Sequence, residues 1–360
     1  MKIVGMKLGL LSAPLRVPFR TALREVKYVE DIVVEFYASD GTVGRGEAPP
    51  TAAVTGETLG SIQAALQGHI FPSLCDKEAS LESLCAIVEH SIVGNHSAKA
   101  AAEIALWDIY AQHCSLPLYK LLGGEKPIIV TDLTISVNEP DIMAKDTVDA
   151  IGRGFETLKI KVGENPELDI ERLRAVRSAA PDAVLRIDAN QAWTPRQAVR
   201  ILERMDTEGL NIELVEQPVK ARDLNGLKFV TDNSPVPVMA DESMFSPEDA
   251  LNIMQRHAAD YVNIKLMKCG GISNALRIAS AAEVYGVECM IGCMLEAKVS
   301  VTAAVHLACA KNIITRIDLD GPALCSEDPV VGGATFDGKY ITANQAPGLG
   351  ITEIHGLRYI

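Results

Sequence analysis

The chain has 360 residues, 48% of them apolar, and a formal net charge of −13. That length suits two domains with a sizeable interior, and no apolar run approaches the roughly 20 residues that span a bilayer. An acidic surface repels phosphate backbones, which argues against nucleic acid as a partner. The opening stretch, MKIVGMKLGLLSAPL, has the apolar look of a signal peptide, but Lys7 breaks the run and the pattern suits a strand. A soluble, cytoplasmic protein with no membrane contact is expected. Its eight cysteines include no CxxC pair, so they read as reduced thiols without a zinc site. The seven histidines show no HxH or HExxH spacing and read as structural or solvated.

In chain order, residues 2–12 and 30–37 are predicted strands, and Asp40-Gly41 marks a hairpin turn. GRGEAPP (44–50) has two glycines at GxG spacing but no helix opening after them, so it reads as a loop and not a phosphate cradle. Helical periodicity covers 58–69, 79–92 and 97–114, with Asn95 or Ser97 as the cap of the last. LPLYKLLGG (116–124) closes this region. From about 128 the pattern changes to short apolar strands at 129–136, 157–162, 184–189, 212–216, 237–241, 260–265, 288–292 and 313–318. Between them lie helical stretches near 139–153, 167–179, 195–206, 223–232, 247–256, 271–285 and 298–310. Alternating β and α at this spacing predicts a parallel sheet with helices outside, and eight units in this length predict a closed barrel. A doubly wound open sheet is the architectural rival. The turn-rich tail after 325 is expected to pack back on the first region.

Functional groups of a βα barrel gather where its strands end. Those ends supply Thr134, then Lys159 and Lys161 in FETLKIKVG, Asp188 in LRIDAN, Glu216 in IELVEQP, Asp241 in PVMADES, Lys265 in NIKLMKCGG, and Asp318 and Asp320 in RIDLDG. Asp188, Glu216 and Asp241 are 28 and 25 residues apart, about one βα unit each, so they fall on adjacent strands. Three converging carboxylates cannot all stay ionised without a cation. Their hard oxygens point to Mg²⁺, with Mn²⁺ as a substitute. Lys161 and Lys265 lie four strands apart in eight and should face one another across the mouth. Two such bases suit removal of a proton from one face of a carbon and its return to the other. A lysine acts as a base only when neutral, and crowding beside Lys159 is expected to lower the proton affinity of Lys161. Lys159 would also place positive charge near a substrate carboxylate. A Schiff-base lyase using either lysine and a non-catalytic binding barrel are the rival readings from another class.

With these residues placed, the chain resembles the enolase superfamily, within it the muconate-lactonizing-enzyme type, and most closely the dipeptide epimerases. LKIKVG, RIDANQAW, ELVEQPV, MADES, NIKLMKCGGI and DLD occur in that family's order, and GEAPP, SAKAAAEIALWD and LPLYKLLGG resemble its capping region. The resemblance implies a (β/α)7β barrel over 126–324 and an α+β capping domain over 1–125, completed by 325–360. It implies Mg²⁺ on Asp188, Glu216 and Asp241, Lys161 and Lys265 as acid/base pair, and Thr134 and Lys159 in contact with substrate. The mandelate-racemase branch places a histidine near the seventh strand. ECMIGCMLE has none, which disfavours that branch.

Asp318 and Asp320 share a strand face and favour a substrate cation over an anion. In the dipeptide epimerases this motif resembles a clamp for the α-ammonium group. The implied reaction is inversion of the α-carbon of a dipeptide's C-terminal residue through an enediolate, with L-Ala-L-Glu and L-Ala-D-Glu as the expected pair. Arg24, with Arg20 as competitor, matches a position that would hold the glutamate side chain, and Cys293 and Leu295 would line the pocket. Reuse of cell-wall (murein) peptides and a homo-oligomeric assembly are further expectations. The nearest alternatives on the same scaffold are an N-succinyl amino acid racemase and a cycloisomerase or o-succinylbenzoate synthase.

Overall fold

The computed structural model describes residues 1–20, 25–163 and 165–360. Strands β1 (Ile3–Arg20), β2 (Glu25–Ala38) and β3 (Val43–Ala48) form an antiparallel sheet. The β2–β3 hairpin turns where the sequence predicts, with Gly41 at φ +89° and the Thr42 N–H donating to Asp40 Oδ1 at 3.0 Å. Both faces of the sheet are buried. Ile32, Val34 and Phe36 pack under helices α1 (Leu59–Ala65), α2 (Leu81–His90) and α3 (His96–His113). Val29, Val33, Leu11 and Ala13, on the other face, join the core of the barrel.

One local expectation is overturned and another is narrowed. GRGEA is a strand, not a loop, because its glycines admit α3 at very short range. A Cβ on Gly44 would fall 2.1 Å from the Ala105 carbonyl oxygen, and one on Gly46 would fall 1.9 Å from that of Ala101. Asn95, and not Ser97, holds the N-cap position of α3, but it caps with its backbone carbonyl alone. Asn95 stands at φ +54° with no side-chain capping bond, and Ser97 is already inside the helix. The buried first-turn amides of Ser97 and Ala98, which have no partner within the helix, donate to Glu57 Oε2 and Oε1, at 2.9 and 3.1 Å. A carboxylate serves there as well as a local cap, because it meets both the free N–H groups and the positive helix end.

The predicted first barrel strand divides. Strand β4 (Ile128–Val130) pairs with the tail of the chain, and only β5 (Leu133–Ile135) enters the barrel. Next come α4 (Pro140–Gly152), β6 (Thr157–Lys161), α5 (Pro166–Ala179), β7 (Val184–Asp188), α6 (Pro195–Thr207) and β8 (Ile212–Glu216). The barrel is completed by α7 (Leu224–Asn233), β9 (Val238–Ala240), α8 (Pro247–Arg256), β10 (Tyr261–Ile264), α9 (Ile272–Tyr285), β11 (Cys289–Gly292), α10 (Lys298–Ala310) and β12 (Ile314–Asp318). Four of these helices begin with proline, whose fixed φ and missing N–H suit a first helical turn.

Strands β5 to β12 lie parallel and in sequence order. The seam is nearly closed: Asp132 N–H donates to the Ile317 carbonyl at 3.2 Å, and Leu319 N–H to Thr131 Oγ1 at 3.0 Å. The barrel interior is packed with side chains, among them Leu214, Met239 and Met290. The open-sheet alternative is therefore excluded.

The tail forms β13 (Val330–Gly332), β14 (Thr335–Asp337), β15 (Tyr340–Thr342), β16 (Ile351–Ile354) and β17 (Arg358–Tyr359). Strand β15 pairs with β4, and β17 pairs with β1 at Gly9↔Tyr359 and Leu10↔Arg358. The chain end thus returns to the first sheet. Among the described residues, no helix is long and apolar enough to cross a membrane, and all eight cysteines are free thiols.

Candidate active site

Alternation along β6 sends Leu158 and Ile160 outward beneath the helices and Lys159 and Lys161 into the barrel. Parallel register sets Lys161 opposite Asp188, and Asp188 opposite Glu216. Glu216 pairs with Met239, so Asp241, two residues on, returns to the same face. The three carboxylates expected on adjacent strands are therefore in register, and all three are buried.

The lysines lie among these acids. Lys159 Nζ is 2.7 Å from Glu216 Oε2, 2.7 Å from Asp318 Oδ2 and 3.2 Å from Asp188 Oδ2. Lys161 Nζ donates to Asp188 Oδ2 at 2.6 Å. Lys265 Nζ donates to Asp241 Oδ2 at 2.9 Å. Lys161 and Lys265 line one pocket, together with Thr134, Asp318, Asp320, Cys293 and Leu295. Thr134 contributes its backbone N–H, which donates to Asp320 Oδ2 at 2.6 Å. Arg24 lies outside the described residues.

Three partners escaped the sequence reading. Lys268 is fully buried and donates to Asp241 Oδ1, to the Asp241 carbonyl at 2.5 Å and to the Asn263 carbonyl at 3.0 Å. Its signal was present in NIKLMKCGG, one helical turn beyond Lys265. Asn263 Nδ2 donates to Glu216 Oε1 at 3.0 Å, and its position on β10, two residues before Lys265, could have flagged it. Glu242 lines the pocket beside Asp241, with one carboxyl oxygen, Oε2, buried and unpartnered.

Around this mouth six buried carboxyl groups (Asp188, Glu216, Asp241, Glu242, Asp318 and Asp320) meet four buried amines (Lys159, Lys161, Lys265 and Lys268). The excess of acid shows in their proton affinities. Burial, reinforced by Asp188, pushes Glu216 up to about 8. Burial, with Asp241 nearby, takes Glu242 to about 7, and burial with Asp318 takes Asp320 to about 6. Burial also opposes ionisation of Asp188, but Lys161 and Lys159 outweigh it and hold that group at about 2. Burial disfavours the charge on Lys265, yet Asp241 keeps it above the ordinary lysine range. Lys159 is raised in the same way by Asp318, Glu216 and Asp188. Lysine crowding alone predicts lowered proton affinity; carboxylates reverse that sign for these two residues.

Among the described residues, no group of three or more His, Cys, Asp or Glu side chains lies close enough together to hold a metal ion. The ammonium of Lys159 sits between Asp188 and Glu216, and Asp241 is drawn to Lys265 and Lys268. The donor set still fits a hard divalent cation. It offers three carboxylates on consecutive strands, two more acids than amines in the surroundings, and a Glu216 held near 8 by burial and then by Asp188, both of which a cation would offset.

The chain matches the family described as mandelate racemase / muconate lactonizing enzyme, N-terminal domain, over residues 7–123, and enolase C-terminal domain-like over residues 143–353. It is 56% identical to the L-Ala-D/L-Glu epimerase of Clostridium acetobutylicum, covering 99% of this chain and 100% of that one. Identity to the L-Ala-D/L-Glu epimerase of Bacillus subtilis is 47%, over 98% and 97% of the two chains. The solved substrate-liganded complex of the Bacillus subtilis enzyme aligns at a TM-score of 0.97 with 46% identity, covering 98% of this chain and 99% of that one. The dipeptide epimerase from Enterococcus faecalis V583, complexed with Mg and L-Leu-L-Tyr, aligns at 0.94 with 41% identity, covering 98% and 100%.

Proposed function

The chain belongs to the mandelate racemase/muconate lactonizing enzyme family of the enolase superfamily, and on that premise we propose that it is a Mg²⁺-dependent dipeptide epimerase. It inverts the α-carbon of the C-terminal residue, with L-Ala-L-Glu and L-Ala-D-Glu as its pair. The observation that carries this reading is the placement of Lys161 and Lys265 on one pocket, at the ends of strands four apart in an eight-stranded ring.

In either direction one of these lysines, as the free amine, takes the α-proton. The electron pair left behind spreads into the neighbouring carboxylate. The opposite lysine, as ammonium, delivers a proton to the other face, and the two lysines end with their protonation states exchanged. When bound, Mg²⁺ would be held by Asp188, Glu216 and Asp241, offset their mutual repulsion and stabilise negative charge on the substrate carboxylate, and Mn²⁺ suits the same oxygen set. Lys159, buried beside these acids, adds a fixed positive charge where that negative charge develops.

Asp318 and Asp320 take the substrate ammonium, with the Thr134 amide fixing Asp320. Arg24 takes the glutamate side chain, and Cys293 and Leu295 close the wall. An N-succinyl substrate would bring a carboxylate toward Asp318 and Asp320 instead, which disfavours the racemase alternative.

L-Ala-D-Glu is cell-wall chemistry, so the setting we assign is reuse of murein peptides. Free thiols fit a reducing, cytoplasmic compartment. A homo-oligomer is part of the proposal, and sedimentation tests it. The activity is tested by incubating the protein with L-Ala-L-Glu and Mg²⁺ in D₂O. Formation of L-Ala-D-Glu with deuterium at the glutamate α-carbon supports the reading. Turnover of N-succinyl amino acids without turnover of dipeptides would replace it.

A further inference from the structure

Helix α10 begins without a cap of its own. Its N-cap residue is Ala297, which has no side-chain acceptor. The first sheet supplies the acceptors from more than 200 residues away. The Ala297 N–H donates to Asp31 Oδ2 at 3.2 Å and Glu47 Oε1 at 3.1 Å, and the Ser300 N–H donates to Glu47 Oε2 at 2.8 Å. Asp31 is on β2 and Glu47 on β3, both fully enclosed. Their carboxyl groups face each other, and burial, then Glu47, disfavours the ionised form of Asp31.

The network extends into the pocket wall. Ser300 Oγ lies 3.0 Å from Glu47 Oε2 and within hydrogen-bond reach of Glu296 Oε2. Glu296 Oε1 in turn accepts from the Met294 N–H at 2.6 Å. Met294 stands between Cys293 and Leu295, and all three line the pocket. The same strip abuts the end of β12. Cys293 N–H donates to the Asp318 carbonyl at 3.1 Å, and a Cβ on Gly321 would fall 2.8 Å from the Glu296 carbonyl oxygen.

We infer that Asp31 and Glu47 are positioning residues: they cap α10 from the first sheet and thereby set the Cys293–Leu295 strip against the substrate. Three buried acids at one helix end are a costly way to hold a loop if packing were the whole purpose. Burial, then Glu47, pushes the Asp31 carboxyl well above its ordinary range, so a neutral side chain of the same shape suits this site. The inference rests on the epimerase reading for its kinetic arm only.

Asp31→Asn supplies a permanent N–H toward Glu47 and an oxygen toward Ala297, whereas Asp31→Leu supplies neither. Both are made in the full chain. Amide exchange is followed by mass spectrometry over 293–300, and kcat and KM are measured with L-Ala-L-Glu. In the leucine variant exchange at 294–300 should rise by about tenfold or more without a matching rise in the other barrel strands. Its KM should rise about tenfold, with kcat changed much less. The asparagine variant should match wild type in both. Unchanged exchange and KM in a folded leucine variant, or equal damage by asparagine, would overturn the inference. Should the leucine variant fail to fold, Ser300→Ala decides, since it removes only the hydroxyl bridge: faster exchange at 294–300 supports the inference and unchanged exchange overturns it. If wild type turns over no dipeptide, the epimerase reading fails, while the exchange arm still decides whether these acids hold the strip.

Discussion

Lys268 donates to the Asp241 carboxylate from full burial, and Asp241 is itself 2% exposed. One Asp241 oxygen is thereby fixed, and the other faces Lys265. Removing one partner of a buried pair leaves an uncompensated charge and costs about 3–5 kcal/mol. Lys268→Met is therefore expected to lower the unfolding free energy by that order, read from urea denaturation, and to lower kcat with it. A variant as stable and active as wild type would show that Asp241 does not depend on Lys268.

Asp320 should matter through binding. Its carboxyl is positioned by the Thr134 amide, and a hydrogen bond to a charged group contributes about 1.5–3 kcal/mol. Asp320→Asn is expected to raise the KM for L-Ala-L-Glu by about ten- to a hundredfold, with a smaller change in kcat. An unchanged KM would place the substrate ammonium elsewhere.

Stability should depend on pH through Glu103, which does not line the pocket. Burial raises its carboxyl from an ordinary 4.5 to about 7, and its oxygens accept from the Ser273 amide. The folded chain holds this proton more tightly than the unfolded one. The associated stabilisation is therefore complete below about 4.5 and lost as pH rises through about 7, an effect on the order of 3 kcal/mol. Glu103→Gln, which cannot ionise, should show a smaller loss of urea midpoint between pH 5 and pH 8 than wild type. Equal losses would remove Glu103 from the pH response.

The barrel was legible because its signals are local. Each strand is a short apolar run, and helices such as α6 and α8 announce themselves with Pro195 and Pro247 at their first positions. The acid trio was legible for the same reason, since one βα unit of spacing sets Asp188, Glu216 and Asp241 on neighbouring strands. What the sequence hid depends on distant partners. Gly44 and Gly46 read as loop residues until α3 is seen lying against them. Asn95 was legible as the cap position, but Glu57, which takes the free amides of Ser97 and Ala98, comes 38 residues earlier. The raised proton affinities of Lys159 and Lys265 follow from how many carboxylates surround each ammonium, a property of the assembled mouth and not of the β6 or β10 motif alone.

The central claim is that two amines work on opposite faces of one carbon, and α-hydrogen exchange in D₂O by single-lysine variants tests it most directly. Lys161→Ala and Lys265→Ala should each lose epimerisation. Each should still exchange the α-hydrogen of one dipeptide isomer, and the two variants should choose opposite isomers. Epimerisation at the wild-type rate by either variant, or exchange of the same isomer by both, would contradict the account.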